Sequence, residues 1–232
     1  METLQNAKPS DRARRKRAAD SQPVQAIVRR LEEDIVFRVY HPRERLVEDE
    51  LMQRFEAKRH IVRQALIELE RDGLVLRKPN SGAQVRALTA KEATELYAVR
   101  EILETNCVKM IRLPLETRLL APIEKIQRAH AAAIKSNDVR AVFRANLAFH
   151  AAIFQLCGNE ALVEAIADFA RRTHPVRLTT LVTQEYLEQA RSQHDEILHA
   201  LREGDRARLV ALSARHLKPS REAYLRTIGH LN

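Results

Sequence analysis

"FEAKRHIVRQALIELERDGLVLRKPNSGAQV", residues 55–85, changes period partway along. Val62, Ala65, Leu66 and Leu69 recur at three- and four-residue intervals, which predicts a helix over about 59–72 with one apolar face. Gly73 follows where a left-handed residue can end it. "LVLRK" and "AQVRA" then flank "PNSG", two extended runs around turn chemistry, so a β-hairpin is expected directly behind the helix. Arg59 and Arg63 stand one turn apart at the helix start, off the apolar face.

Upstream, Leu51, Met52 and Phe55 give a short helix over about 48–55. Val24, Ile27, Val28, Leu31 and Ile35 form the buried stripe of another, which Pro42 prevents from continuing. Three helices followed by a hairpin make a winged helix-turn-helix, whose second motif helix enters the DNA major groove. Arginine suits that position because its planar fork binds guanine O6 and N7, or a phosphate, through two parallel hydrogen bonds. Arg59 and Arg63 are therefore the leading DNA contacts, with Lys58 and His60 beside them, and Ser81 and Gly82 at the wing tip. Gly82 is expected to let the backbone approach DNA closely.

Residues 1–22 contain "DRARRKRAAD", a near-contiguous cationic run, and are expected to form a disordered basic arm, either solvated or grazing the DNA backbone. The winged-helix domain then spans 23–88. From Leu88 onward the strand signal ends, and residues 89–232 read as an all-helical antiparallel bundle. "TAKE", residues 89–92, fits a capping box opening a long helix to about 113. Further helices are expected over about 116–135, 138–157, 160–172, 176–203 and 205–226. The fold class is thus mainly α, with a single hairpin.

The 232 residues carry a net charge of +9 and a sequence pI near 9.9, which favours polyanionic partners. Residues 1–88 hold +5 of that charge and the longer remainder +4, so positive density is higher at the N-terminal end. Aromatic residues make up 4% and Trp is absent, which disfavours the stacking platforms of RNA binders. No apolar run reaches the ~18 residues of a membrane span. Cys107 and Cys157 lack a CxxC spacing and are expected as two reduced thiols in a cytoplasmic protein.

In the helical part, Asn146 and His150 of "NLAFH" share one helix face, and His194 precedes His216 by the length of a helix hairpin. If those helices bundle, three imidazoles and an amide oxygen can converge as ligands for Zn, Ni or Mn. Nine histidines are scattered through the chain, so spacing alone equally allows ordinary core or surface residues.

Residues 24–88 resemble the winged-helix domain of the GntR family of bacterial transcription regulators. Its "GVSRxPVRxAL…L…GLV…xGxxV" pattern is matched by Arg59, Val62, Arg63, Ala65, Leu66, Leu69, Gly73, Leu74, Gly82 and Val85. Glu56 and Lys58 replace the family's Gly and capping Ser or Thr, His60 and Ile61 its frequent Thr-Pro, and Asp49 an Arg often used on the operator backbone. Residues 89–226 resemble the FCD-type effector domain of the FadR-like branch. That resemblance implies a divalent metal on Asn146, His150, His194 and His216, with Asn146 standing where the family has an acid. It also implies a small carboxylate effector held by Arg100, for which the alternative is surface pairing with Glu104 one turn on.

The expected function is therefore a homodimeric regulator, a repressor, that binds an inverted-repeat operator in double-stranded DNA under control of a small organic acid. Two alternatives stand beside it: an effector-blind architectural DNA binder, and a metal-dependent hydrolase using His150, His194 and His216. The latter lacks a general-base motif and an HExxH sequence.

Overall fold

The computed structural model describes residues 9–77 and 82–229. The chain divides into two compact units after Ala87, one residue before the expected boundary. Leu88 goes with the second unit because it packs there against Ala93, Tyr97, Val176, Leu217 and Tyr224, and its carbonyl accepts a 2.7 Å hydrogen bond from the Tyr224 hydroxyl.

The first unit comprises α1 (Pro9–Val36), β1 (Arg45–Leu46), α2 (Glu48–Phe55), α3 (Arg59–Arg71), β2 (Val75–Arg77) and β3 (Ala83–Val85). The expected apolar stripes meet in one core: Leu31 of α1, Leu51 of α2, and Val62, Leu66 and Leu69 of α3 are almost wholly buried. Gly73 follows α3 with φ +71, as its position required. The hairpin is the larger part of a three-stranded antiparallel sheet of order β1-β3-β2, in which Leu46 pairs with Ala83 and Leu76 with Gln84. Asp34 of α1 is fully buried and is held by Arg54 of α2 at 2.5 Å, a charge-assisted bond that ties those helices together.

The expected disordered arm is corrected over residues 9–22, where α1 already runs from Pro9. Ala13, Ala18 and Ala19, interspersed with long straight-chain Arg and Lys, have high intrinsic helix propensity, and Pro9 sits at the first position, where its missing N–H costs nothing. Residues 1–8 lie outside the described residues.

The second unit contains α4 (Ala90–Met110), α5 (Thr117–Lys135), α6 (Val139–Gln155), α7 (Glu160–Arg172), a 3₁₀ turn (His174–Val176), α8 (Leu178–Leu181), α9 (Gln184–Glu203) and α10 (Arg206–Gly229). The capping box forms: the Glu92 amide donates to the Thr89 hydroxyl at 3.2 Å, and the Thr89 amide donates to the Glu92 carboxylate at 2.9 Å. Helix α4 packs on α7 and α10, α5 on α6 and α9, and α9 on α10. Gly204, at φ +75, makes the tight turn that folds α10 back along α9.

One expected helix, 176–203, is interrupted. The Thr180 hydroxyl donates back to the Arg177 carbonyl at 2.9 Å, and Val182 and Thr183 are β-branched, so the chain breaks before α9 starts afresh. Cys107 and Cys157 are both free and buried. No helix among the described residues is long and apolar enough to cross a membrane.

Candidate functional site

Each unit presents a candidate site. In the first, Lys58, Arg59, His60 and Arg63 are all exposed along the start of α3, opposite the buried Ile61, Val62, Ala65 and Leu66. Gln64 is exposed one residue beyond Arg63 and one turn beyond His60. It went unremarked in the sequence although the same helical period finds it, and its carboxamide can pair bidentately with adenine. Ser81 lies outside the described residues.

The arginines are not bare. Arg59 reaches Asp49 at 2.5 Å and Glu48 at 3.3 Å, and the Arg63 Nε donates to Glu48 at 2.9 Å. Glu48 and Asp49 open α2, where acids favour the positive helix end. Asp49 thus converts a position where the family often carries a cation into an internal partner for Arg59.

Gly82 is required within the sheet itself. Its φ is +77, and a Cβ there would meet the Leu46 carbonyl oxygen at 2.6 Å, so close packing against β1 already excludes a side chain. The turn between α2 and α3 departs from family chemistry at a structural cost. Glu56 takes the left-handed cap at φ 49, and Lys58 begins α3 without a side-chain cap.

In the second unit, α6, α9 and α10 bring His150, His194 and His216 together, with one ligating nitrogen of each inside a 4.8 Å span. His194 is fully buried, stacks on Phe149 at 4.0 Å between centroids, and meets Gln127 of α5 through a 3.0 Å Nδ1···Oε1 bond. The Gln127 amide nitrogen donates to the Arg191 carbonyl and to Asp195, which orients its oxygen toward His194. His194 Nδ1 is therefore the donor, leaving its Nε2 a lone pair. That buried atom has no hydrogen-bond partner. Gln193 does the same for His216, with Oε1 2.7 Å from Nδ1. The Nε2 atoms of His150 and His216 are 3.1 Å apart, close to the spacing of adjacent nitrogens each about 2.0–2.1 Å from one cation.

Burial lowers the pKa of all three rings. His150 and His194 fall well below the ordinary range through desolvation, then the charges of neighbouring imidazoles and Arg177, and His216 falls to about 3 through desolvation, then Arg177 and Arg100. Neutral imidazoles are ligands without prior deprotonation. The orphaned Nε2, the carboxamide-fixed tautomers and the neutral rings together fit a divalent cation. Asn146, one turn before His150 on α6, lines the same cavity.

That cavity is about 60 Å³. Arg100 lines it and is buried; its Nε donates to Glu104 at 2.9 Å, and its Nη1 to the Thr173 hydroxyl at 3.0 Å. The pairing with Glu104 is real but lies in the interior, at 4% exposure or less for both residues, not on the helix surface. Arg177 and His130 also line the cavity and were not foreseen from the sequence. His130 is buried, tilts against His194 at 4.8 Å between centroids, and its Nδ1 has no hydrogen-bond partner.

Residues 23–85 match the bacterial regulatory proteins of the gntR family, and residues 95–219 match the FCD domain. The chain is a GntR-family transcription regulator with an FCD domain. Curated relatives include the HTH-type transcriptional repressor RspR of Escherichia coli K12, 24% identical over 88% of this chain and 90% of that one. Another is the regulator YdhC of Bacillus subtilis, 24% identical over 70% and 73%. Among solved structures, E. coli McbR/YncC superposes with a TM-score of 0.78 at 18% identity, covering 89% of this chain and 98% of that one. A GntR regulator from Rhodococcus sp. RHA1 superposes with a TM-score of 0.73 at 22% identity, covering 87% and 97%. The family and relatives are DNA-binding regulators, not enzymes.

Proposed function

We propose that this GntR regulator is a homodimeric repressor whose hold on an inverted-repeat operator is controlled by a small carboxylate. The carboxylate lies in the cavity of the helical unit, one oxygen facing a divalent cation held by His150, His194, His216 and Asn146, with Arg100 as its second anchor. The observation carrying this reading is the buried Nε2 of His194, without a hydrogen-bond partner among the described residues, beside the His150–His216 pair, whose two rings line a cavity that Arg100 also lines. A bound cation there would supply Lewis acidity to orient an anion. The chain's own residues exclude bulk water, fix the tautomers and present the guanidinium.

At the operator, Arg59 and Arg63 read or grip one half-site, with Lys58, His60 and Gln64 alongside, and a second copy serves the other half. The effector shifts DNA binding only by interacting differently with two arrangements of the protein. Repression agrees with the name of the relative RspR.

The test combines metal analysis of the purified chain, a thermal-shift panel of small carboxylic acids, and operator binding across salt. A stoichiometric divalent metal is expected, with stabilisation by at least one acid. Arg63→Ala should weaken operator binding by about 1–3 kcal/mol if Arg63 reads a base, or lower the salt slope by about 1 if it grips a phosphate. Operator affinity and salt slope both unchanged in that variant would remove α3 from the DNA. DNA binding with no metal and no stabilising acid would favour the architectural alternative.

A further inference from the structure

We infer that the ligand set of this chain is incomplete in charge and that the effector carboxylate completes it, so cation and effector bind as a positively coupled pair. This rests on the metal-and-carboxylate reading above. The donors are three imidazoles and the carboxamide of Asn146, and none contributes negative charge. Among the described residues lining the cavity there is no Asp or Glu, whereas two arginines line it. Glu104, the buried carboxylate beside Arg100, already sits 2.8 Å from that guanidinium.

A divalent cation entering this site therefore meets only neutral donors in an interior that screens charge poorly. Cation affinity in protein sites follows the charge of the donors, and a carboxamide oxygen lacks the charge of a carboxylate. An entering carboxylate supplies that charge. Each ligand thus raises the other's affinity by one shared factor, as linkage requires. The regulator then answers to the coincidence of metal and acid, and an aspartate at 146 would make it answer to the acid with the metal already resident.

Zinc titration of the metal-stripped full chain, read with a competing chelator indicator, tests this in acetate and in chloride at matched ionic strength and pH. Acetate should tighten zinc binding by at least about fivefold, within the usual range of coupling between sites. In Asn146→Asp, zinc should bind more tightly in chloride and the acetate effect should shrink. Equal zinc affinity of the unaltered chain in the two salts would overturn the coupling while leaving the metal site standing, and this comparison needs no variant to fold. An undiminished acetate effect in Asn146→Asp would also overturn it. No zinc binding in either salt, by the chain or by Asn146→Asp, would overturn the metal reading itself.

Discussion

The two candidate sites solve opposite electrostatic problems. On α3 the functional groups are permanently charged and exposed to solvent, and they are occupied in the DNA-free chain by carboxylates of α2. In the helical unit they are titratable and buried, and they are kept neutral by desolvation and aligned by carboxamides. An exposed ion pair is worth little and exchanges readily for a phosphate. A buried orphan lone pair costs free energy until something fills it. The first arrangement suits rapid, salt-sensitive exchange with a polyanion, the second selective capture of one small occupant.

The largest expected effect tests the second half of that contrast. His194→Ala removes the buried donor and should weaken zinc binding more than about 100-fold. Gln127→Leu, which frees the ring but keeps the ligand, should cost about 10–100-fold, the usual range for groups behind a metal ligand. Calorimetric titration of both variants checks the order. Equal, small losses would mean the histidines do not share an ion.

Acid sharpens the comparison next. His130, lowered to about 4 chiefly by desolvation, and His216, lowered to about 3, bind fewer protons folded than unfolded. The unfolded chain takes up protons below its ordinary pKa near 6.5, so stability is full above about pH 6.5 and is lost as pH falls toward the folded values. For His130 alone the loss reaches roughly 3 kcal/mol near the acid end of that window. Urea unfolding of the metal-free chain from pH 7 to pH 4 should show it, and His130→Asn should flatten the slope. An unchanged slope in that variant would place the proton uptake elsewhere.

What could be read from sequence was whatever a single helix or turn decides. The α3 stripe, Gly73 and the Thr89–Glu92 box depend on neighbours three or four residues away, and they formed as expected. Spacing offered the histidine triad as one possibility, and family resemblance strengthened it by implying the pairing of α6, α9 and α10. His130, Gln127 and Arg177 were not legible, because a buried polar residue announces itself only when a neighbouring helix fails to satisfy it or a cavity opens beside it. Strand β1, two residues long, is too short for any alternation to register. The constraint that the Leu46 carbonyl places on Gly82 was not legible, because it comes from the pairing of β1 with β3.

The smallest effect concerns Asp49. Its carboxylate is 68% exposed and lies 2.5 Å from Arg59, so the pair contributes at most about 1 kcal/mol to folding and screens away with salt. Yet any DNA contact by Arg59 must first break that pair, and Asp49 itself repels nearby phosphates. Asp49→Asn should therefore tighten operator binding at low salt by up to about fivefold, with the gain shrinking as salt rises, and should leave the melting temperature nearly unchanged. Fluorescence anisotropy across a salt series measures it. If binding instead weakens, the carboxylate is orienting Arg59 for a base, or accepting from a cytosine amine, and the acids of α2 belong to the reading surface rather than opposing it.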